Sequence, residues 1–150
     1  MATTLFNAKP YDPIKERRKK IRIAIAVVIV LALAFTAWSF RYWTYEHQVD
    51  KFFNSLQHQD YEKAYGVWMN DPQWKQHPEK YKRYPYGEFW LDWGPGGEWG
   101  LIKSYHIDGA VTPKGGTTGV VVQITVNQRV GKKCHLWVEK SDKTLAFSPF

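Results

Sequence analysis

The chain has 150 residues, a net charge of +7 and one cysteine, which is enough for one ordinary domain with an appendage. Residues 1–43 contain eight Lys/Arg and two Asp/Glu, whereas residues 44–150 contain thirteen and twelve and are close to neutral. A nucleic-acid-binding domain needs a basic stripe on its folded surface, so this distribution argues against one. The single Cys134 excludes an intramolecular disulfide and a cysteine-based metal site.

An uncharged apolar segment follows a basic cluster near the N-terminus. Residues 23–40 carry no charge, and as a helix they would span about 27 Å, close to the hydrocarbon thickness of a bilayer. The basic cluster, residues 15–22, precedes the segment, and Trp and Tyr residues follow it. Positive flanks stay in the cytoplasm, and Trp and Tyr favour membrane interfaces. We therefore expect a basic cytoplasmic tail over residues 1–20, a transmembrane helix over residues 21–41 in contact with the lipid bilayer of the cell (inner) membrane, and an extracytoplasmic domain over residues 44–150.

A cleaved signal peptide is the alternative interpretation of the apolar segment. Ala32, Leu33 and Ala34 resemble a small-x-small cleavage site. The charged leader is unusually long, however, and apolar sequence continues past this site to Phe40. We therefore favour a retained single-pass anchor. The preceding residues 1–13 contain two prolines and little periodicity, and we expect them to be disordered.

Apolar periodicity predicts helices in the first half of the outer domain. Apolar side chains recur at helical spacing over residues 45–56 and again over residues 61–69. Asp60 is placed to cap the second of these helices. The following segment contains three prolines and is predicted to be a loop. A short third helix is predicted over residues 86–93, with Gly94 as its C-cap.

Alternating apolar and polar residues predict four antiparallel strands in the remainder of the chain. They fall over residues 101–111, 120–130, 133–140 and 144–150. In the first strand, the side chains expected to face the helices are Leu101, Tyr105, Ile107 and Val111. Such strands bury one face only, and helices must cover that face. The predicted fold class is therefore α+β, with two to three helices packed on a four-stranded antiparallel sheet.

Residues 49–68 read VDKFFNSLQHQDYEKAYGVW, an aromatic-rich helix, a short turn ending in Asp, and a helix with a YxxAY pattern. These features and the element order resemble the NTF2-like (cystatin-like) superfamily over residues 45–150. The resemblance implies a curved sheet folded over the helices. Members of that superfamily include small isomerases and dehydratases, ligand carriers and non-catalytic dimerisation modules. An anchor followed by this fold is also similar in layout to VirB8-type components of secretion systems and to Mce-associated proteins.

The segment GEFWLDWGPGGEWG, residues 87–100, has three interpretations: a catalytic carboxylate pair, an aromatic platform for a ligand, or a hydrophobic plug. Glu88 and Asp92 share one helical face and would suit acid–base hydrolysis of a sugar stacked on tryptophan. The same spacing is typical of the solvated edge of an amphipathic helix, with Phe89 and Trp93 in the core. The glycines permit a tight reversal from helix into sheet. We favour the structural plug over the ligand platform.

The polar face of the predicted sheet is the favoured binding surface. Its interface candidates are His106, Thr125, His135 and Trp137, and Trp137 is the large aromatic that would anchor a partner. An acid–base pair that includes His106 and Asp108 is the alternative. The strand alternation places both side chains away from the helices, where pockets of this superfamily lie, so we favour an exposed polar surface.

We expect a binding module that acts as an accessory or assembly component of an envelope complex, with a protein partner or a second copy of itself. The alternative is a small-molecule-binding or isomerase/dehydratase-like enzyme. Its pocket between helices and sheet would use Tyr61, Tyr65, Glu88 and Tyr105. We predict no catalytic residue, no cofactor and no nucleic-acid partner. We also predict no metal site, because the five histidines show no ligand spacing.

Overall fold

The computed structural model describes residues 12–149 of the chain. The chain divides into two compact units, Met1–Arg41 and Tyr42–Phe150. The first unit contains α1 (Pro13–Ser39). Among the described residues, the second contains three α-helices and one sheet, which are α2 (Trp43–Gln57), α3 (Tyr61–Trp68), α4 (Tyr86–Trp93), β1 (Tyr105–Val111), β2 (Gly119–Val126), β3 (Lys133–Glu139) and β4 (Leu145–Phe147). The predicted α+β class is thus confirmed.

The basic segment before the apolar residues is helical. The Asp12 carboxylate accepts hydrogen bonds from the backbone N–H groups of Ile14 at 3.0 Å and Lys15 at 3.3 Å, and Pro13 takes the first helical position, where its missing N–H costs nothing. The helix then continues through the basic cluster without a break. The disorder predicted for residues 1–13 lies almost wholly outside the described residues.

The apolar part of α1 has the properties of a membrane-spanning segment. It is the one described helix that is long and apolar enough to cross a membrane, and none of its apolar window is buried in the protein. Its two hydroxyl groups are satisfied within the helix: Thr36 Oγ1 donates to the Ala32 carbonyl at 2.8 Å, and Ser39 Oγ to the Phe35 carbonyl at 2.9 Å. The helix therefore exposes little unpaired polarity, as a lipid environment requires.

The helices of the second unit begin and end close to the predicted positions. The Asp60 carboxylate caps α3 by accepting from the Lys63 N–H at 3.1 Å. Gly94 ends α4, and its N–H donates to the Trp90 carbonyl at 2.8 Å. The proline-containing segment between α3 and α4 forms two short 3₁₀ helices, Trp74–Gln76 and Pro78–Tyr81.

Aromatic rings fill the space between the helices and the sheet. Phe52 of α2 is completely buried, and its ring centroid lies 4.9 Å from that of Trp93 and 5.2 Å from that of Trp68. Edge-on and tilted contacts of this kind are favourable, because they place the positive edge of one ring against the negative face of another. The sheet supplies the opposite wall with side chains that are fully buried: Val122, Ile124, Val126, Leu136 and Val138.

The sheet is antiparallel throughout, in the order β1-β2-β3-β4. Val122 pairs with Leu136 and Ile124 with Cys134, so the inward side chains of β2 and β3 lie opposite one another. Cys134 is buried in this row, and burial raises the pKa of its thiol to about 12. It is therefore a small core residue and not a reactive thiolate.

A bulge in β1 corrects one sequence prediction. Ile107 pairs with Ile124, but Gly109 pairs with Gln123, so Asp108 is an extra residue that reverses the alternation. Val111 consequently points to the outer face and is 58% exposed; the prediction that it faces the helices is wrong. Leu101 was also predicted on that strand face, but it precedes β1 and is 42% exposed. β4 is likewise shorter than the predicted strand.

Substitution within α4 tests the aromatic core. Phe89 is fully buried, whereas Leu91 on the same helix is 71% exposed. We expect Phe89→Ala to lower the free energy of unfolding by about 3–5 kcal/mol, because it removes transfer energy and leaves a cavity. The matched control Leu91→Ala should change it by less than about 0.5 kcal/mol. Urea denaturation of the full chain in detergent, followed by tryptophan fluorescence, measures both, and equal losses would contradict this packing.

Candidate functional site

The residues proposed to line an interior pocket do not converge on a common cavity. Tyr65 is 1% exposed, and its hydroxyl donates to the Tyr84 carbonyl at 2.8 Å. Tyr61 is 7% exposed, and its ring meets the Trp90 ring edge-on at 4.7 Å. Burial raises the pKa of both phenols above the usual value. Both are therefore protonated and packed at neutral pH.

The other two pocket candidates are engaged elsewhere. The Tyr105 hydroxyl donates to Asp50 Oδ1 at 2.8 Å, and burial, with this hydrogen bond, raises its pKa to about 12. Glu88 is exposed on α4. The Phe53 ring stacks on Tyr105 at 5.4 Å and meets Trp93 at 5.9 Å, so core rings occupy the space where an interior ligand would have to lie.

The tryptophan-rich segment closes the end of α4 over the core. Trp93 and Trp99 are 1% and 6% exposed, and the Asp92 carboxylate accepts a hydrogen bond from the Tyr84 hydroxyl at 2.7 Å. A Cβ atom at Gly97 would lie 2.0 Å from the Asp92 carbonyl oxygen. Only glycine fits this approach of backbone to backbone. The geometry is that of a tight reversal and agrees with the interpretation as a structural plug.

The four interface candidates share the outer face of the sheet. His106 of β1 lies opposite Thr125 of β2, and His135 of β3 lies opposite Gln123. Both histidines are exposed, and Thr125 is half-buried. Trp137 lies on the same face, further along β3. The structure therefore brings these four side chains to one surface.

Trp137 is half-buried and not the freely exposed anchor that the sequence suggested. A Cβ atom at Gly119 would lie 2.1 Å from Cε2 of its indole ring, so the ring packs directly on the backbone of β2. Its Nε1 donates to Glu139 Oε2 at 3.2 Å. Val121 lies opposite it and is only 6% exposed although it faces outward. The Trp137 ring thus belongs to the outer face and also shields the backbone of β2 from solvent.

A polar network around Asp108 occupies the middle of this face. Lys133 Nζ lies 2.9 Å from Asp108 Oδ2 and also donates to Thr125 Oγ1. Thr125 Oγ1 donates to Asp108 at 2.8 Å, and Gln123 Nε2 at 3.3 Å. These hydrogen bonds lower the pKa of the Asp108 carboxyl below its usual value. The bond from Lys133 has the largest effect, and the bond from Thr125 the next largest.

The network around Asp108 was not predicted from the sequence. Asp108 was considered only as an acid–base partner of His106, the less favoured alternative, and Lys133 was not assigned to the site. A signal was present in Gly109, because a glycine inside a strand often marks a bulge. Its φ of 150° is a conformation that side chains rarely permit. The bulge turns Val111 to the outer face, on which Asp108 already lies.

A groove lies beside the network on the outer face. Its volume is about 570 Å³, within the range of sites that bind a small molecule or a partner's side chains. Its lining includes apolar side chains, such as Val111 and Val121, and side chains that form hydrogen bonds, such as Gln123 and His135. The lining residues are Asp108, Gly109, Ala110, Val111, Pro113, Val121, Gln123 and His135. Apolar floor and polar rim occur together in protein interfaces.

A second groove, of about 610 Å³, lies between α2, α3 and the segment that follows α3. The amide of Gln48, one of the residues that line this groove, is already satisfied, since Nε2 donates to the Val67 carbonyl at 2.9 Å. Lys75 and Glu62 form an ion pair there at 2.5 Å. We favour the sheet groove as the candidate site, because it combines outward apolar side chains with an ordered polar network.

Comparison of the chain with protein-family models, curated proteins and solved structures gives no match. The NTF2-like resemblance therefore rests on the element order and on residues 49–68. Within residues 12–149, no group of three or more His, Cys, Asp or Glu side chains is placed to hold a metal ion.

Removal of Lys133 tests the network. Asp108 has a folded pKa below its unfolded value, so its contribution to stability is present above the unfolded pKa and lost as the pH falls through the folded one. We expect Lys133→Ala to raise the Asp108 pKa toward the usual carboxyl value. Lys132→Ala, which removes a neighbouring lysine paired with Glu98, should leave it unchanged. Titration of the Asp108 carboxyl followed by carbon-13 NMR measures this pKa. An unchanged Asp108 pKa in Lys133→Ala would contradict the network.

Proposed function

We propose that this chain is a membrane-anchored, extracytoplasmic binding module with an NTF2-like domain. It contacts a protein partner, or a second copy of itself, through the outer face of the sheet and serves as an accessory or assembly component of an envelope complex. One observation carries the proposal. The interior is occupied by rings such as Phe52 and Trp93, whereas the outer face offers a groove beside an ordered polar network.

The proposed location follows from α1 and its flanks. The helix is long and apolar enough to span a membrane, and the residues before its apolar part are strongly basic. Basic flanks are retained on the cytoplasmic side. In this proposal α1 spans the cell (inner) membrane. Its basic end is cytoplasmic, and the α+β domain is extracytoplasmic. A retained anchor would hold the domain close to partners in or at the same membrane.

The chemistry of the groove favours a protein surface as its ligand. Val111 is 58% exposed and would bury apolar area against a partner. Gln123 and His135, whose side-chain atoms lie 3.3 Å apart, supply hydrogen-bonding groups at the rim. Such interfaces combine an apolar centre with a polar rim. The alternative, an enzyme or carrier with a pocket around Tyr65 and Tyr105, is less favoured because both hydroxyls already have protein partners.

Cysteine labelling tests the proposed topology. Ser141 is exposed in the domain, and the Lys15 side chain is 85% exposed in α1. We expect a membrane-impermeant maleimide to label Ser141→Cys in intact spheroplasts and Lys15→Cys only after detergent is added. The buried Cys134 of the unsubstituted chain serves as the background control. The reverse pattern of labelling would contradict a cytoplasmic N-terminal end.

Site-specific photocrosslinking tests the proposed surface. A photoreactive benzoylphenylalanine in place of Val111 should give a discrete adduct in native membranes. The same group in place of Val130, which is 76% exposed in the turn between β2 and β3, should not. An adduct of twice the chain mass identifies self-association, and another discrete mass identifies a different partner. Equal adducts at both positions, or none at position 111, would contradict binding through the sheet groove.

A further inference from the structure

The first turns of α1 carry positive charge that is only partly neutralised by other residues in the described range 12–149. Residues 15–22 contain six Lys/Arg and one Glu. Lys15 pairs with Asp12 at 3.9 Å and Lys20 with Glu16 at 3.3 Å. The other cations form no ion pair with any residue in the described range 12–149; they are Arg17, Arg18, Lys19 and Arg22. A counter-charge for them must come from outside the described chain.

Their heights along the helix match the headgroup layer of a bilayer. α1 is continuous from Pro13 into the apolar segment, so the cations are held at fixed distances from it. Arg22 adjoins the uncharged residues 23–40, and Arg17 lies about 7.5 Å further along the axis. The headgroup layer is roughly 5–7 Å thick on each side of the hydrocarbon. When residues 23–40 fill the hydrocarbon, these cations lie at the level of lipid phosphates.

Their distribution around the helix fits an upright helix surrounded by lipid. At about 100° per residue, Arg17, Arg18, Lys19 and Arg22 cover an arc of about 200°. A helix lying flat on a membrane would confine its charges to one face and its apolar residues to the other. The apolar part of α1 has no such polar face, since residues 23–40 lack any charge. Several lipid headgroups can therefore reach the cations at once.

Phosphate is the anion that this set of cations suits best. Three of the four are arginines, whose planar guanidinium groups donate two parallel hydrogen bonds to a phosphate. We propose that Arg17, Arg18, Lys19 and Arg22 bind the phosphate groups of anionic phospholipids and gather these lipids around the basic end of the anchor. The inference rests on the proposed function, since it requires α1 to span the bilayer. It goes beyond topology, because the positive-inside rule concerns orientation and not lipid selectivity.

The test uses the full chain reconstituted in phosphatidylcholine vesicles. Each sample contains a trace of spin-labelled phosphatidylglycerol or of spin-labelled phosphatidylcholine, and electron paramagnetic resonance reports the fraction of label restricted by the protein. We expect about a fivefold preference for the anionic lipid at low salt, the factor that corresponds to one surface cation per lipid. High salt should weaken the preference.

Two matched variants assign the preference to residues. The variant R17Q/R18Q/K19Q/R22Q should restrict the two lipids equally. The control K75Q/K80Q/K82Q/R83Q removes the same number of cations from the segment between α3 and α4 and should keep the preference. Equal restriction of both lipids by the unsubstituted chain, or an unchanged preference in the first variant, would overturn the inference.

Two further measurements separate this site from its alternatives. Loss of the preference on adding millimolar inorganic phosphate or a short oligonucleotide would identify a soluble anion as the ligand and would also overturn the lipid site. Alkaline carbonate extraction of the vesicles tests the anchor on its own. Release of the chain by carbonate would contradict the membrane anchor, whereas retention without lipid preference would contradict only the lipid site.

Discussion

The packing of aromatic rings around Phe52 determines what the rest of the domain can do. This ring contacts Trp68, Phe89 and Trp93 at centroid distances of 5.2, 6.1 and 4.9 Å, and it thereby joins α2, α3 and α4 above the sheet. An interior filled by large rings in contact leaves little room for a ligand. A fold with helices on a curved sheet can hold a pocket, but in this chain large side chains occupy that space. For this reason we propose recognition through the surface and not through an interior pocket.

The apolar part of the outer groove depends on one irregularity in the sheet. Without the extra residue at Asp108, the alternation of β1 would place Val111 toward the helices. With it, Val111 is exposed on the face where Asp108 contacts Thr125 of β2 and Lys133 of β3. Bulges are common where a side chain must be re-aimed. A single inserted residue therefore adds the apolar part of the groove beside the polar network.

The sequence predicted the elements well and the site less well. The helices α2 to α4 were found because apolar spacing, the Asp60 cap and the Gly94 stop are local signals that agree with one another. The site depends on relations between strands: the Asp108 contacts require a register that alternation does not encode. Trp137 was expected to be exposed because its strand position points outward, yet Gly119 on the next strand lets the ring lie flat. Cross-strand packing of this kind cannot be read from one strand alone.

We claim that side chains fill the space between helices and sheet, and we propose that binding therefore occurs at the surface. Benzene binding tests it directly, because dry apolar cavities in proteins take up benzene and are stabilised by it. Phe89→Ala, which opens such a cavity, provides the positive control. The packing of the core predicts that saturating benzene raises the midpoint of thermal unfolding of Phe89→Ala and leaves that of the unsubstituted chain unchanged. An equal rise in the unsubstituted chain would show a pre-existing interior cavity and would contradict the claim.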